Sequence, residues 1–328
     1  MSTRLSKGGR LIDRSKSVEF TFDGKRLNGY EGDTLASALL ANNQRLVGRS
    51  FKYHRPRGIV ASGPEEPNAL VGLGAGSKFE PNQRATTTEL FAGLHSKSQN
   101  AWPSLEFDIG GINRIMSRVF PAGFYYKTFI FPRFAWKHIF EPFIRKAAGL
   151  GAAPTEKDAD KYEYFYAHVD VLIIGGGSSG LAAALEVGRS GAKVLVLEQK
   201  STWGGRAPVD GVVIDNEKSE EWINKALAEL ESMPNVSLKN RTMGAGVYDH
   251  GWATGYESLT DHMPSKVGPR QRLWRIRATR ILTTTGAIER PLSFAGNDLP
   301  GVMLAGSVRD YIVDFGTSCG DDWLVEVT

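Results

Sequence analysis

Three glycines and one carboxylate give the most specific chemical signal in this 328-residue sequence. In "VDVLIIGGGSSGLAAALEVGRSGAKVLVLEQ", Gly175, Gly177 and Gly180 have the spacing G-x-G-x-x-G, and Glu198 closes the next apolar run. In a dinucleotide site the first glycine permits a tight turn, the second lets backbone approach a pyrophosphate, and the third lets a helix pack closely on the preceding strand. A carboxylate at the end of the second strand can accept hydrogen bonds from a ribose diol.

The glycine spacing is weak evidence alone, and its surroundings give it weight. Val169 to Ile174 is a continuous apolar run, as expected of a strand buried on both faces of a parallel sheet. The helix predicted from Ser179 or Gly180 to Arg189 would aim its first amides at the phosphates, with Ser178 in the turn before it. A second strand then ends at Glu198, with Gln199 and Lys200 beside the acid. Glu198 would repel a 2′-phosphate and so argues against NADP, while Lys200 counts the other way. The motif suits FAD and NAD equally.

Further elements must stand around that turn. "STWGGRA" places Gly204, Gly205 and Arg206 in a second loop over the same ligand, with Arg206 either paired to the pyrophosphate or at the surface. The helix "NEKSEEWINKALAELES" aligns Ile223, Leu227 and Leu230 on one face. "NVSLKNRTMGAGVYDHG" supplies a third parallel strand whose glycine-rich end, at Gly244, would lie near the adenine. "RLWRIRATRILTTTGA" reads as an antiparallel excursion whose last strand ends at Thr285 and Gly286, beneath the pyrophosphate.

The first hundred residues have another grammar. "SVEFTFDGKRLNGY" is a hairpin with Asp23-Gly24 at its turn. "EGDTLASALLANN" is a helix capped by Asp33 or Thr34, with Leu35, Leu39 and Leu40 on one face. A basic run interleaved with aromatics, "RSFKYHRPRG", follows. Such a run can bind single-stranded nucleic acid, but 40 Lys plus Arg against 36 Asp plus Glu leave a net charge of only +4, too little to argue for it. The aromatic segment from Val119 to Ile144 is interrupted by Lys127, Arg133 and Lys137 and broken by Pro121, Pro132 and Pro142, so helical turns packing on a neighbour are expected and not a membrane span.

Cys319 is the single cysteine. It excludes an intrachain disulfide, a Cys-x-x-Cys redox pair and an all-cysteine zinc or iron–sulfur site, and it fits a reducing cytoplasm. The six histidines have no metal-ligand spacing, the N-terminus has no apolar core of a secretory signal, and no residue is identified as catalytic.

The order of G-x-G-x-x-G, acidic strand end, "GG" loop and "TTGAIERPLSFAGNDLPGVM" resembles the two-dinucleotide-binding-domain flavoproteins. The longer strings "GDTLASALLAN", "RSFKYHRPRGI", "AGFYYKTF", "EPFIRKAAGLG" and "ERPLSFAGNDLPGVM" resemble the alpha subunit of heterotetrameric sarcosine oxidase across nearly the whole chain. That resemblance implies oxidative demethylation of sarcosine with O2 to glycine, hydrogen peroxide and formaldehyde or methylenetetrahydrofolate. It implies NAD in the domain that relatives use for FAD, FMN at the interface with a beta subunit that holds the substrate-oxidising FAD, and gamma and delta subunits as further partners. Gly175, Gly177, Ser179, Gly180, Glu198, Gln199, Lys200, Arg206 and Gly244 would then line the NAD site. It also implies a plant-type ferredoxin frame whose cluster loop here reads "IVASGPEEPNALV", without cysteine and therefore without a cluster.

The expected fold class is α/β: a Rossmann-like three-layer FAD/NAD(P)-binding domain, incomplete, preceded by a small ferredoxin-like α+β domain. The expected division is a solvated basic arm over 1–16, the ferredoxin-like domain over 17–103, an aromatic helical connector over 104–167, the NAD/FAD-binding domain over 168–306, and the truncated start of a second dinucleotide-binding domain over 307–328. The chain would then be the N-terminal third of an alpha subunit. Two rival readings are the FAD-binding subunit of a hydroxyproline, opine or cyanide-forming dehydrogenase, and a non-catalytic nucleotide-binding scaffold. Arg49, Lys52, His54, Arg55 and Arg57 either approach a flavin or dinucleotide phosphate or form a structural ion-pair network.

Overall fold

Asp23 and Gly24 both have positive φ, 49° and 78°, the conformation a two-residue hairpin turn requires. They join β1 (Asp13–Phe22) to the antiparallel β2 (Lys25–Glu31). The computed structural model describes residues 2–118, 123, 131–147, 151–263 and 266–320. These fall into two compact units, Met1–Ala159 with Glu289–Thr328, and Asp160–Ile288.

In the first unit a sheet runs in the order β2-β1-β7-β5-β6, where β5 is Leu70–Leu73, β6 Glu80–Arg84 and β7 His95–Lys97. A two-residue ladder pairs β3 (Gly48–Arg49) with β4 (Pro56–Arg57). Helix α1 (Leu35–Ala41) is wholly buried. Its N-cap is Thr34, which forms a capping box with Ser37: the Thr34 hydroxyl accepts from the Ser37 amide at 3.1 Å and the Ser37 hydroxyl accepts from the Thr34 amide at 2.9 Å. Asp33 instead turns inward and accepts from the Tyr30 amide and the Ser37 hydroxyl. Phe20, Phe22, Leu35, Leu39, Ile59 and Val71 form the core together with Tyr311 and Phe315 of the C-terminal helix (Ala305–Phe315).

The N-terminal end differs from the sequence reading. The N-terminal residues are docked where a solvated arm was expected. Arg4, 9% exposed, makes a two-bond contact at 3.1 and 2.6 Å with the fully buried Asp33, and also donates to the Phe315 carbonyl and the Thr317 hydroxyl. Arg10 pairs with the buried Asp314 at 2.6 Å. The reason is charge compensation: an unpaired buried carboxylate is costly, and these two arginines neutralise a pair of them. Residues 307–320 lie in the first unit, and 321–328 fall outside the described residues.

Part of the aromatic segment from Val119 to Ile144, residues 119–122 and 124–130, also lies outside the described residues. Residues 133–147 form a helix, α2, with a π-turn at Trp136–Phe140 and exposed Phe134 and Phe143. Among the described residues no helix is long and apolar enough to cross a membrane.

The second unit is built on one six-stranded sheet, β12-β9-β8-β15-β14-β13. Its strands are β8 (Tyr162–Ile174), β9 (Val194–Leu197), β12 (Val236–Lys239), β13 (Thr242–Tyr248), β14 (Trp252–Ser258) and β15 (Gln271–Thr283), with β10 (Val213–Ile214) and β11 (Glu217–Lys218) in a separate small hairpin. β12, β9, β8 and β15 are parallel neighbours, while β13, β14 and β15 form an antiparallel meander. The two-residue period of a strand splits the apolar run between two cores. Leu172, Ile174, Leu195 and Leu197 pack with Ala253, Trp274 and Ile276 of the meander. Ile173, Val194 and Val196 pack with α3 (Ser178–Arg189) and, through Ile223, Ala226 and Leu230, with the later helix Ser219–Ser232. Burial of each such side chain contributes about 1.5–3 kcal/mol, so the helix–sheet–meander layering follows directly from the sequence of these strands.

Candidate dinucleotide site

The turn from β8 to α3 is held by contacts that only glycine allows. Gly175 has φ +111°, and a Cβ there would lie 2.3 Å from the Thr284 carbonyl oxygen. At Gly180 a Cβ would lie 1.9 Å from the Gly175 carbonyl oxygen. Gly177 is different. It is the N-cap of α3 with φ −70°, and an added Cβ would meet nothing within 4 Å. Gly175 and Gly180 are therefore demanded by the protein's own packing, whereas the space at Gly177 is open to a ligand.

Ser178 and Ser179 open α3, and no side chain caps the helix. Amides of a helix's first turn lack intrahelical acceptors, and with the helix dipole they favour an anion. Glu198 stands at the end of β9, 6% exposed. Its Oε2 accepts from the Gly176 amide at 2.7 Å and its Oε1 from the Lys200 amide at 2.8 Å. A carboxylate has about four acceptor positions, so two remain for ribose hydroxyls. Gln199 and Lys200 follow, exposed.

The second loop reaches the same turn. Gly204 donates to the Gly176 carbonyl at 2.8 Å, Gly177 and Gly204 form an isolated parallel bridge, and a Cβ on Gly205 would lie 3.2 Å from Gly177 Cα. Arg206 caps the short helix α4 (Ala207–Asp210), and its guanidinium stands 3.4 Å from Asp210. Gly244 lies on the meander side, where a Cβ would be 2.7 Å from Ile174 Cγ2, so its lack of a side chain lets β13 cross the end of β8. The β13 entry is tied to the site because the Thr242 amide donates to the Glu198 carbonyl at 2.8 Å. Gly286 lies beyond the end of β15, with open space where a Cβ would be.

Two contributors escape the sequence reading. The Thr284 hydroxyl donates to the Ile174 and Gly175 carbonyls at 3.1 and 2.8 Å, fastening the end of β15 to the glycine turn. Trp203 lies against Gly176, where a Cβ would be 2.3 Å from its ring. "TTTG" at a strand end was the available signal for the first; nothing in the sequence pointed to the second.

The basic run belongs to the first unit. Arg49 donates to the Leu105 carbonyl at 3.0 and 2.7 Å, and His54 Nδ1 lies 2.7 Å from the buried Asp108 carboxylate. Arg55 pairs with Asp298 at 2.6 Å, and Arg57 pairs with the same carboxylate. Burial tends to raise the Asp298 pKa, but the hydrogen bonds from Arg55 and Arg57 outweigh it and hold the carboxyl below its ordinary range. The geometry of an internal ion-pair network is therefore present in this run.

Comparison with known proteins bears on both units. Residues 15–101 match the family "2Fe-2S iron-sulfur cluster binding domain", and residues 170–250 match "FAD dependent oxidoreductase". The sarcosine oxidase subunit alpha of Rhizobium meliloti is 51% identical over 97% of this chain and 32% of its own length. That of Corynebacterium sp. strain P-1 is 35% identical over 97% of this chain and 28% of its own length. The chain thus spans about a third of the length of these curated relatives. The structure of L-proline dehydrogenase from P. horikoshii superposes with a TM-score of 0.60 at 21% identity, covering 95% of this chain and 50% of that one, and so shares the fold. The fold is a ferredoxin-like domain joined to a Rossmann-like domain of the FAD-binding class.

Proposed function

We propose that this chain, a relative of sarcosine oxidase alpha subunits corresponding to about a third of their length, is the dinucleotide-holding part of a multisubunit amine oxidoreductase. The observation that carries this reading is the contrast at the turn: Gly175 and Gly180 are filled by protein, and Gly177 faces open space beside a helix N-terminus and the buried Glu198. Those residues fit a pyrophosphate and its ribose.

The ligand in this reading is NAD in a structural role. The first turn of α3, with Ser178, Ser179 and Gly180, would hold the pyrophosphate, Glu198 a ribose diol, and the Gly205–Arg206 loop would cover it. The complex would oxidise sarcosine with O2 and water to glycine, formaldehyde and hydrogen peroxide, or pass the one-carbon unit to tetrahydrofolate. A flavin on a beta subunit would supply the redox chemistry, with FMN between the two subunits and gamma and delta subunits completing the assembly in the cytoplasm. This chain contributes binding and position; no side chain in it is assigned to amine oxidation. The match of residues 170–250 to FAD-dependent oxidoreductases supports a second reading, with FAD in the same turn, as in a dehydrogenase relative.

The test is to co-express the chain with candidate partner subunits, denature the purified product, and identify the released nucleotides by mass and absorbance. NAD assigned to this subunit supports the first reading and FAD the second. Absence of any nucleotide from soluble, assembled protein overturns both.

A further inference from the structure

The first domain matches a family that holds a [2Fe–2S] cluster, and its residues do not fit one. Such clusters are bound by four protein ligands, usually cysteine thiolates, and this chain has one cysteine. Cys319 packs against the domain core, and burial pushes its thiol up to about 12, far from the thiolate a metal requires. The loop that should wrap the cluster, residues 58–69 between β4 and β5, is nevertheless closed and ordered around an anion of its own.

That anion is the side chain of Glu66, 1% exposed. Its Oε2 accepts from the amides of Val60 at 2.8 Å and Ala61 at 2.6 Å, and its Oε1 from the amides of Asn68 at 2.7 Å and Ala69 at 2.9 Å. One carboxylate thus gathers backbone N–H groups from both limbs of the loop, as cluster sulfurs do when amides hydrogen-bond to them. The loop's outward groups are satisfied as well. The Val60 carbonyl accepts from the Leu304 amide at 2.9 Å, the Ala61 carbonyl from the buried Tyr311 hydroxyl at 2.9 Å, and the Ser62 hydroxyl donates to Asp310 at 2.5 Å. At the turn, the Gly63 carbonyl accepts from the Glu66 amide and the Thr86 hydroxyl.

We propose that the Glu66 carboxylate is the resident anion of this ferredoxin-type loop, holding in place of a cluster the backbone that a cluster would hold, so that the first domain is a non-redox structural frame. A carboxylate this deep is tolerated because charge-assisted bonds to four amides replace its hydration. Electrons moving through the assembly then bypass this domain.

The test uses the whole chain carrying Glu66→Gln, with Glu65→Gln as the neighbouring control. A carboxamide has one acceptor oxygen, so its NH2 is turned against one of the two amide pairs. Hydrogen exchange at either Val60 and Ala61 or Asn68 and Ala69 should then accelerate about tenfold or more, the equilibrium equivalent of one lost buried bond, with a lower Tm; E65Q should keep wild-type protection. Failure of E66Q to fold where E65Q folds supports the proposal equally. Unchanged exchange and Tm in E66Q, or the same loss in E65Q, would overturn it. The second measurement is on the wild-type chain incubated anaerobically with ferrous iron, sulfide and dithiothreitol. Neither bound iron nor visible absorption is expected after desalting, and equimolar iron and sulfide retained on the protein would overturn the proposal.

Discussion

Replacing Gly177 and Gly180 separately by alanine distinguishes a ligand site from a glycine-rich structural turn. At Gly180 the new methyl would stand 1.9 Å from the Gly175 carbonyl oxygen and 2.8 Å from Thr284 Oγ1. A carbon–oxygen contact that short must open by about 1 Å, which moves α3 off β8. Overpacking of this kind destabilises by about 1–3 kcal/mol, or a fall in Tm of roughly 2–12 °C for a unit of this size. At Gly177 the methyl meets no protein atom within 4 Å, and the residue's φ of −70° is ordinary for alanine. The change there is limited to replacing glycine by alanine at an N-cap, about 1 kcal/mol or less. It places a methyl where a pyrophosphate would approach, so nucleotide affinity should fall about tenfold or more, equivalent to roughly 1.4 kcal/mol. The assay is scanning calorimetry of each variant together with nucleotide retained per chain after gel filtration of the assembled protein. G177A should lose at most a few degrees of Tm while losing nucleotide; G180A should show the larger fall in Tm. A G177A protein that retains nucleotide as well as wild type would refute the reasoning, because the open side of the turn would then not be the ligand side.

Three further outcomes follow from charges and burial. Asp298 has a pKa below its ordinary 3.8, so its contribution to stability is present above that pH and is lost as pH falls through the still lower folded value. D298N should therefore lower Tm at pH 7 and flatten the Tm–pH curve below about pH 4, as melts across about pH 2–7 would show. Cys319, pushed up to about 12 by burial, should resist a thiol-specific disulfide reagent at pH 8 until denaturant is added; immediate labelling of native protein would contradict its packing. Glu198→Gln should weaken binding of the natural nucleotide and narrow its advantage over the 2′-phosphorylated form, since the repelling charge is removed, and competition titrations with NAD and NADP measure both. An unchanged preference would place the ribose away from Glu198.

The glycine turn proposed to hold a dinucleotide was legible because much of its geometry is local. Strand, turn, helix and acidic strand end occur within one short βαβ segment, and Gly180 answers to the Gly175 carbonyl of that same segment. What was not legible depends on atoms far apart in sequence. Thr284 completes the turn from another strand, and no pattern at residue 284 announces that its hydroxyl will reach Gly175. Trp203 reads as an ordinary loop aromatic, although its ring covers Gly176. The basic run was read as open between two roles because arginines in sequence look alike whether they face solvent or a buried carboxylate; Asp298, which joins Arg55 to Arg57, lies more than two hundred positions away.

The first domain shows the same limit more sharply, and for a physical reason. Its core is completed by Tyr311 and Phe315, its N-terminal residues are held by Arg4 and Arg10, and these reach Asp33, the Phe315 carbonyl and Asp314. Each such contact closes a long stretch of chain, but loop-closure entropy grows only with the logarithm of length. Two ion pairs made to buried carboxylates and two aromatic side chains can therefore hold distant ends together where sequence proximity predicts a tail. A basic N-terminus is the commonest appearance of a solvated arm. It is also what a domain needs when its core contains Asp33 and Asp314, because an unpaired buried carboxylate destabilises by several kcal/mol. Net charge over a segment says nothing about which case applies; the deciding fact is whether buried acids elsewhere lack partners. In this chain Glu66 is satisfied by backbone amides within its own loop, whereas Asp33 and Asp314 draw on the arginines of the N-terminus, so the two kinds of buried acid impose local order in one place and long-range closure in the other.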